Sequence, residues 1–173
     1  MLIHKKLSPL DVKSEQISLF PPWYDKKKDT ELTVAIVVRG TKHLSDAIAD
    51  ALLEPVAYRG GFVHGGILES GKNLATKYAP KLKEILGASG RDKIRLTLVG
   101  HSLGAAAASI AAMELKVHED WMTVEALGFG CPSLLSKELS ESSKDYITTV
   151  VADADVVPVS FYNSYFGFVF LSS

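Results

Sequence analysis

The hydrophobic positions of the chain follow two patterns. Residues 32–38 (Leu-Thr-Val-Ala-Ile-Val-Val), 94–99 and 123–129 are short apolar runs rich in β-branched residues. Such runs suit strands of a parallel sheet that is buried on both faces. Between them the apolar residues recur at helical spacing. Ile67, Leu74, Tyr78, Leu82 and Ile85 predict a helix over residues 66–86, with Gly87 as its stop and a kink or break at Pro80. The alanine-rich stretch after Leu103 predicts a second helix running to about Val117.

Weaker signals fill the gaps. Residues 16–20 read as a strand broken by Pro21 and Pro22, and the lysine-rich residues 25–29 as a solvated turn. A short helix is expected over residues 45–53, with Ser45 as its N-cap and Pro55 against its continuation. Residues 59–66 are rich in glycine and read as a loop. A polar helix at 136–143 and a last strand at 146–152 complete the series. Strands that alternate with helices argue for an α/β fold, a mostly parallel central sheet with helices on both faces. Catalytic groups of such folds gather at the carboxyl ends of the strands.

Composition narrows this picture. The 173 residues suffice for one domain, 1–15 being a loosely held segment and 16–173 the body. Hydrophobic residues make up 47% and charged residues 23%, so a packed core is expected. A formal net charge of −1 gives no general pull toward nucleic acid. Cys131 is the one cysteine, which excludes an internal disulfide and leans toward a reducing compartment. The opening residues carry no apolar stretch of signal-peptide length, and no window approaches the ~20 apolar residues of a membrane span. The expected location is cytoplasmic or at the membrane periphery, with transient contact to a lipid surface.

The chemistry concentrates at Gly100-His101-Ser102-Leu103-Gly104. A bare GxSxG arises by chance in roughly one chain in twenty of this length. Here it follows a buried strand and opens a helix, the setting of a nucleophile elbow. Glycines at 100 and 104 remove side chains that would strike the neighbouring strand and helix. The Leu103 amide then sits at the positive end of a helix, beside Ser102. The bland alternative is a serine that caps the helix. His101 adjoins Ser102, but so sharp a turn points its side chain away.

These residues resemble the class 3, or fungal-type, lipases, which include diacylglycerol lipases. Five elements match in order: Arg39-Gly40-Thr41, Val63-His64-Gly65-Gly66, the elbow, Gly128-Phe129-Gly130-Cys131-Pro132 and Asp155-Val156-Val157-Pro158. The resemblance implies an α/β-hydrolase fold. It implies Ser102 as nucleophile, Thr41 and Leu103 as the oxyanion hole, and Asp155, rather than Asp153, as the acid that orients a histidine. His64 would hold the loop before the long helix. Asp46 and Asp50 would cap or ion-pair the short helix. Residues 51–61 would correspond to a small cover. No cofactor and no metal are implied, and the substrate would be a lipid ester such as an acylglycerol.

The pattern departs in one place. The family's histidine follows the aspartate by several tens of residues, and no histidine here follows His118. His118 itself lies about 24 Å along its helix from Ser102. His4 is in the loosely held terminus, and His43 is the one histidine near the mouth by sequence logic. The segment from Phe161 to Leu171 is aromatic and apolar, unlike the family after Pro158. The expectation is a C-terminally incomplete domain that is almost inactive as it stands. A non-catalytic domain that binds lipid or a partner, and a different hydrolase such as a thioesterase, are the alternatives.

Overall fold

The computed structural model describes residues 15–19 (as backbone), 30–40, 55–133 and 135–151. Among the described residues, five strands form the main sheet: β1 (Glu15–Leu19), β2 (Glu31–Val38), β5 (Lys93–His101), β6 (Met122–Phe129) and β7 (Ile147–Val150), side by side in that order. β1 runs antiparallel to β2, and the other neighbours are parallel. β3 (Pro55–Tyr58) and β4 (Gly61–His64) make a separate antiparallel hairpin. Among the described residues, three α-helices connect the parallel strands: α1 (Gly65–Ser89), α2 (Leu103–Leu115) and α3 (Lys137–Ser143).

Each parallel step crosses the sheet in the same direction, through one α-helix among the described residues. Right-handed crossovers in one direction place their helices on one face. Burial follows that rule. Val34, Ile36, Leu96, Leu98, Met122 and Ala126 are buried, while Thr33, Thr97, Glu125 and Phe129 are not. The near-continuous apolar runs therefore behave as alternating strands among the described residues. The helix expected over 45–53 lies outside them.

α2 is the centre of the core. Ala105, Ala106, Ala108, Ala111 and Ala112 are buried, so the helix is apolar all round. Its small side chains let α1 approach closely. A methyl group on Gly71 of α1 would collide with the Ile110 side chain and lie 3.0 Å from the Ala107 carbonyl oxygen.

Three expectations need correction. α1 runs unbroken through Pro80. Pro80 faces water, and the buried stripe of Leu74, Tyr78, Leu82 and Leu86 holds the helix on both sides of it. The stop is Gly90, in the left-handed conformation at φ 67°, rather than Gly87. Residues 59–66 are no simple loop. Arg59 (φ 45°) and Gly60 (φ 83°) both take positive φ, the requirement of a tight two-residue hairpin turn between β3 and β4.

The hairpin also revises the expected cover over residues 51–61. Tyr58 donates its hydroxyl hydrogen to Glu114, and Arg59 donates to the Met113 carbonyl oxygen at 2.8 Å. Both partners lie at the C-terminal end of α2, away from Ser102. Residues 55–61 thus brace the far end of that helix, and 51–54 lie outside the described residues. The expected segment 1–15 also lies outside them, apart from Glu15, which begins β1. So does the expected turn at 25–29.

Candidate active site

β5 enters the elbow at the middle of the sheet, with β2 on one side and β6 on the other. The chain turns at Ser102, whose φ is 54° and ψ −126°. A non-glycine residue there is strained by about 1–3 kcal/mol and persists only when its surroundings over-determine it. They do. The Ser102 amide donates to the Phe129 carbonyl oxygen at 2.9 Å, and the Ser102 carbonyl accepts from the Ala106 amide at 3.1 Å. One bond fixes the turn to β6, and the other starts α2.

The glycines act as the sequence implied. A Cβ on Gly100 would lie 2.5 Å from the Ala105 nitrogen, inside the helix backbone. One on Gly104 would lie 2.8 Å from the Gly40 nitrogen, against the end of β2. Gly40 adds a contact that sequence reasoning missed. Its own Cβ would come within 2.7 Å of the His101 carbonyl oxygen. Bare backbone at 40 and 104 thus seats the exit of β2 directly on the elbow. The signal was present in Arg39-Gly40-Thr41, but only the register of β2 with β5, which pairs Val38 with Gly100, explains it.

Ser102 occupies the N-cap position of α2 yet makes no capping hydrogen bond from its side chain. It is 3% exposed, and its Oγ has no hydrogen-bond partner among the described residues. The bland reading as a capping serine therefore fails on geometry, since an N-cap serine sits in the extended region. Leu103 is the first residue of α2, so its amide is one of the helix N–H groups without an intrahelical acceptor. A buried hydroxyl beside free helix amides is what an acyl-transfer site requires.

Other sequence candidates fall into place around this point. His101 is exposed on the opposite side of the strand from the buried core. His64 is buried at the N-cap of α1, where β4 gives way to the helix, and its side chain makes no capping hydrogen bond. His118 stacks near Trp121 at a centroid distance of 5.3 Å, beyond the far end of α2. Cys131 is buried behind β6. Burial pushes its thiol up to about 12, which nearby Ser109 and Thr149 hydroxyls only partly offset. It is no nucleophile at neutral pH. Thr41, Asp155, Asp153, Asp46, Asp50, His4 and His43 lie outside the described residues. No helix among the described residues is long and apolar enough to cross a membrane.

The family model for lipase (class 3) matches residues 35–165, most of the chain. The chain belongs to the class 3 lipase family. This class 3 lipase domain is 32% identical over 141 residues to a diacylglycerol lipase-beta of Mus musculus, covering 78% of the chain and 20% of that protein. The solved lipase of Rhizopus microsporus var. chinensis superposes with a TM-score of 0.64 at 26% identity, covering 91% of the chain and 54% of that structure. A second solved structure, a triacylglycerol lipase whose catalytic centre is described as a serine protease triad, superposes with a TM-score of 0.62 at 26% identity. It covers 73% of the chain and 50% of that structure. The chain thus spans about half of the solved lipases and a fifth of the curated relative. The α/β-hydrolase fold of these neighbours matches the parallel sheet and helices found here.

Proposed function

We propose that Ser102 is the nucleophile of a carboxylic-ester hydrolase that acts on acylglycerols. The observation that carries this reading is the state of one residue: a serine at positive φ, buried, with a hydroxyl that caps nothing, at the start of a helix. Kinship with diacylglycerol and triacylglycerol lipases supports the substrate class.

In this reading the Ser102 Oγ attacks the ester carbonyl carbon while a histidine takes its proton. The carbonyl oxygen becomes an oxyanion, held by the Leu103 amide and by the amide and hydroxyl of Thr41. Each such donor is worth roughly 3 kcal/mol in a comparable site. Gly40 supports the placement of Thr41, because the neighbouring peptide already rests on the elbow. The tetrahedral intermediate expels the alcohol, which takes the proton back, and leaves an acyl-enzyme that water hydrolyses. Asp155 orients the histidine. Residues 1–173 hold no histidine after His118. Without that base, turnover by these residues alone falls by roughly 10⁶.

A fluorophosphonate probe on the full-length protein is expected to label Ser102 and to spare the Ser102→Ala variant. Absence of labelling would sink the assignment. Turnover of diacylglycerol over phospholipid and thioester substrates is expected, and preference for the thioester would favour the thioesterase alternative. The alternative reading is a lipase-like domain that binds lipid or a partner without turnover. Ester hydrolysis by residues 1–173 that disappears in Ser102→Ala would reject it.

A further inference from the structure

The carbonyl that holds the elbow stands between two glycines. Phe129, whose carbonyl oxygen accepts from the Ser102 amide, is flanked by Gly128 and Gly130. Glycine restricts its own φ and ψ less than any other residue. A peptide flanked by two of them takes its direction from contacts. One such contact lies toward β7, where the Gly130 amide donates to the Val150 carbonyl oxygen at 2.9 Å.

A second contact comes from the next residue. Gly130 takes φ 55°, and the chain turns back there. Cys131 thereby folds over Gly128, which pairs with Thr149 across to β7. A Cβ added at Gly128 would lie 3.0 Å from the Ala105 Cβ of α2, 3.4 Å from the Cys131 Cβ and 3.7 Å from the Thr149 Oγ1. The Cys131 side chain thus sits beside the missing side chain of residue 128, where α2, β6 and β7 meet. It is buried, as are Ser109 and Thr149. The hydroxyls of both are near enough to the thiol to favour its ionised form. The Ser109 hydroxyl donates to the Ala105 carbonyl oxygen at 3.0 Å, in the first turn of α2. The Thr149 Oγ1 has no hydrogen-bond partner among the described residues. The thiol therefore lies among small polar groups at the junction of three elements, and the proposed reaction makes no use of it. Its place, two residues after the carbonyl that fastens the elbow, gives it another task.

We propose that Cys131 is a positioning residue of the elbow: seated between Ala105 and Thr149, its side chain fixes the direction of the Phe129 carbonyl and, through it, the turn at Ser102. This role deepens the reading of Ser102 as a nucleophile. Its first test reads a hydrogen bond instead of a reaction, so either can fail without the other.

That test is native-state amide hydrogen exchange in the whole chain. The Ile94 amide donates to the Trp121 carbonyl oxygen and the Ser102 amide to that of Phe129, both at 2.9 Å. They mark the two ends of one ladder, and Ile94 serves as the internal reference. In Cys131→Ala the Ser102 amide should exchange about ten-fold faster relative to Ile94 than in the parent chain. Cys131→Ser keeps a polar atom in the seat and should restore most of that protection. With a fluorophosphonate probe, Cys131→Ala should lower the labelling rate at saturation and leave the half-saturating concentration unchanged. Equal acceleration at Ser102 and Ile94 would mean that Cys131 only fills the core, and would overturn the proposal. So would an unchanged Ser102 amide, or a serine variant that exchanges as fast as the alanine one. Absence of labelling in the parent chain would sink the nucleophile reading, and the exchange result would still decide this one.

Discussion

The two ends of α2 are built on opposite principles. At its start, Ser102 is strained, buried and without a side-chain partner among the described residues. At its finish, every prominent polar group is matched: Glu114 accepts from Tyr58 and pairs with Arg59 at 3.3 Å, and the Met113 carbonyl accepts from Arg59. Burial, with Glu114 beside it, holds the Tyr58 phenol above its usual range, so the hydroxyl stays a donor. One end of the helix thus carries strain and an unpartnered buried hydroxyl, and the other end is tied down by side-chain bonds. Backbone strain persists only where the surroundings hold it.

The largest way to sharpen this contrast is Ser102→Gly. Glycine adopts positive φ without penalty and removes the unpaired hydroxyl. Probe labelling should vanish, while thermal denaturation should show a protein more stable by about 1 kcal/mol. A less stable variant would mean that the turn is not strained. Gly104→Ala breaks the comparison from the other side. Its methyl group meets the backbone at Val38 and Gly40, which cannot move without distorting β2. Chemical denaturation should show a loss of about 1–3 kcal/mol, accompanied by slower labelling of Ser102.

Tyr58→Phe removes one bond at the satisfied end. A hydrogen bond to a charged acceptor contributes roughly 1.5–3 kcal/mol, and part exposure puts this one at the low end. Stability should fall by about 1–2 kcal/mol with the labelling rate of Ser102 unchanged. A large change in labelling would show that the two ends are coupled. At neutral pH the smallest effect concerns Cys131. Its thiol ordinarily ionises near 9.0 and is pushed up to about 12 by burial. As pH rises from 9 to 12 the unfolded chain loses this proton while the folded one keeps it. Stability is therefore undiminished below pH 9 and declines through that window. Alkylation of Cys131 at pH 8 should be slow in the native protein and fast in urea.

Much of the fold was legible because burial follows periodicity. Strands β2, β5 and β6 and helix α2 lie within two residues of their expected bounds, since apolar runs and alanine content speak to local structure alone. The hairpin was not legible as such. Arg59-Gly60-Gly61 carries loop composition, and what makes it a hairpin is the docking of Tyr58 and Arg59 on a helix more than fifty residues away. Pro80 misled for a related reason. Its local cost is real, but the packing of Tyr78 and Leu82 on either side outweighs it. GxSxG in its strand-to-helix context was sufficient to place the tight turn at Ser102. The service of Gly40 was invisible, because it depends on which strand lies beside which.

The bond from the Ser102 amide to the Phe129 carbonyl has a consequence for how the elbow can fail. A strained turn at the rim of a protein could relax by fraying, exchanging its amide hydrogen with solvent many times before the molecule unfolds. This one is fastened to the next strand of the sheet, and its first helical turn starts from the same residue. Relaxing it means separating β5 from β6, which are paired from Ile94 to His101. Local opening and global unfolding become nearly the same event there, so the least comfortable residue of the chain is also among the slowest to let go.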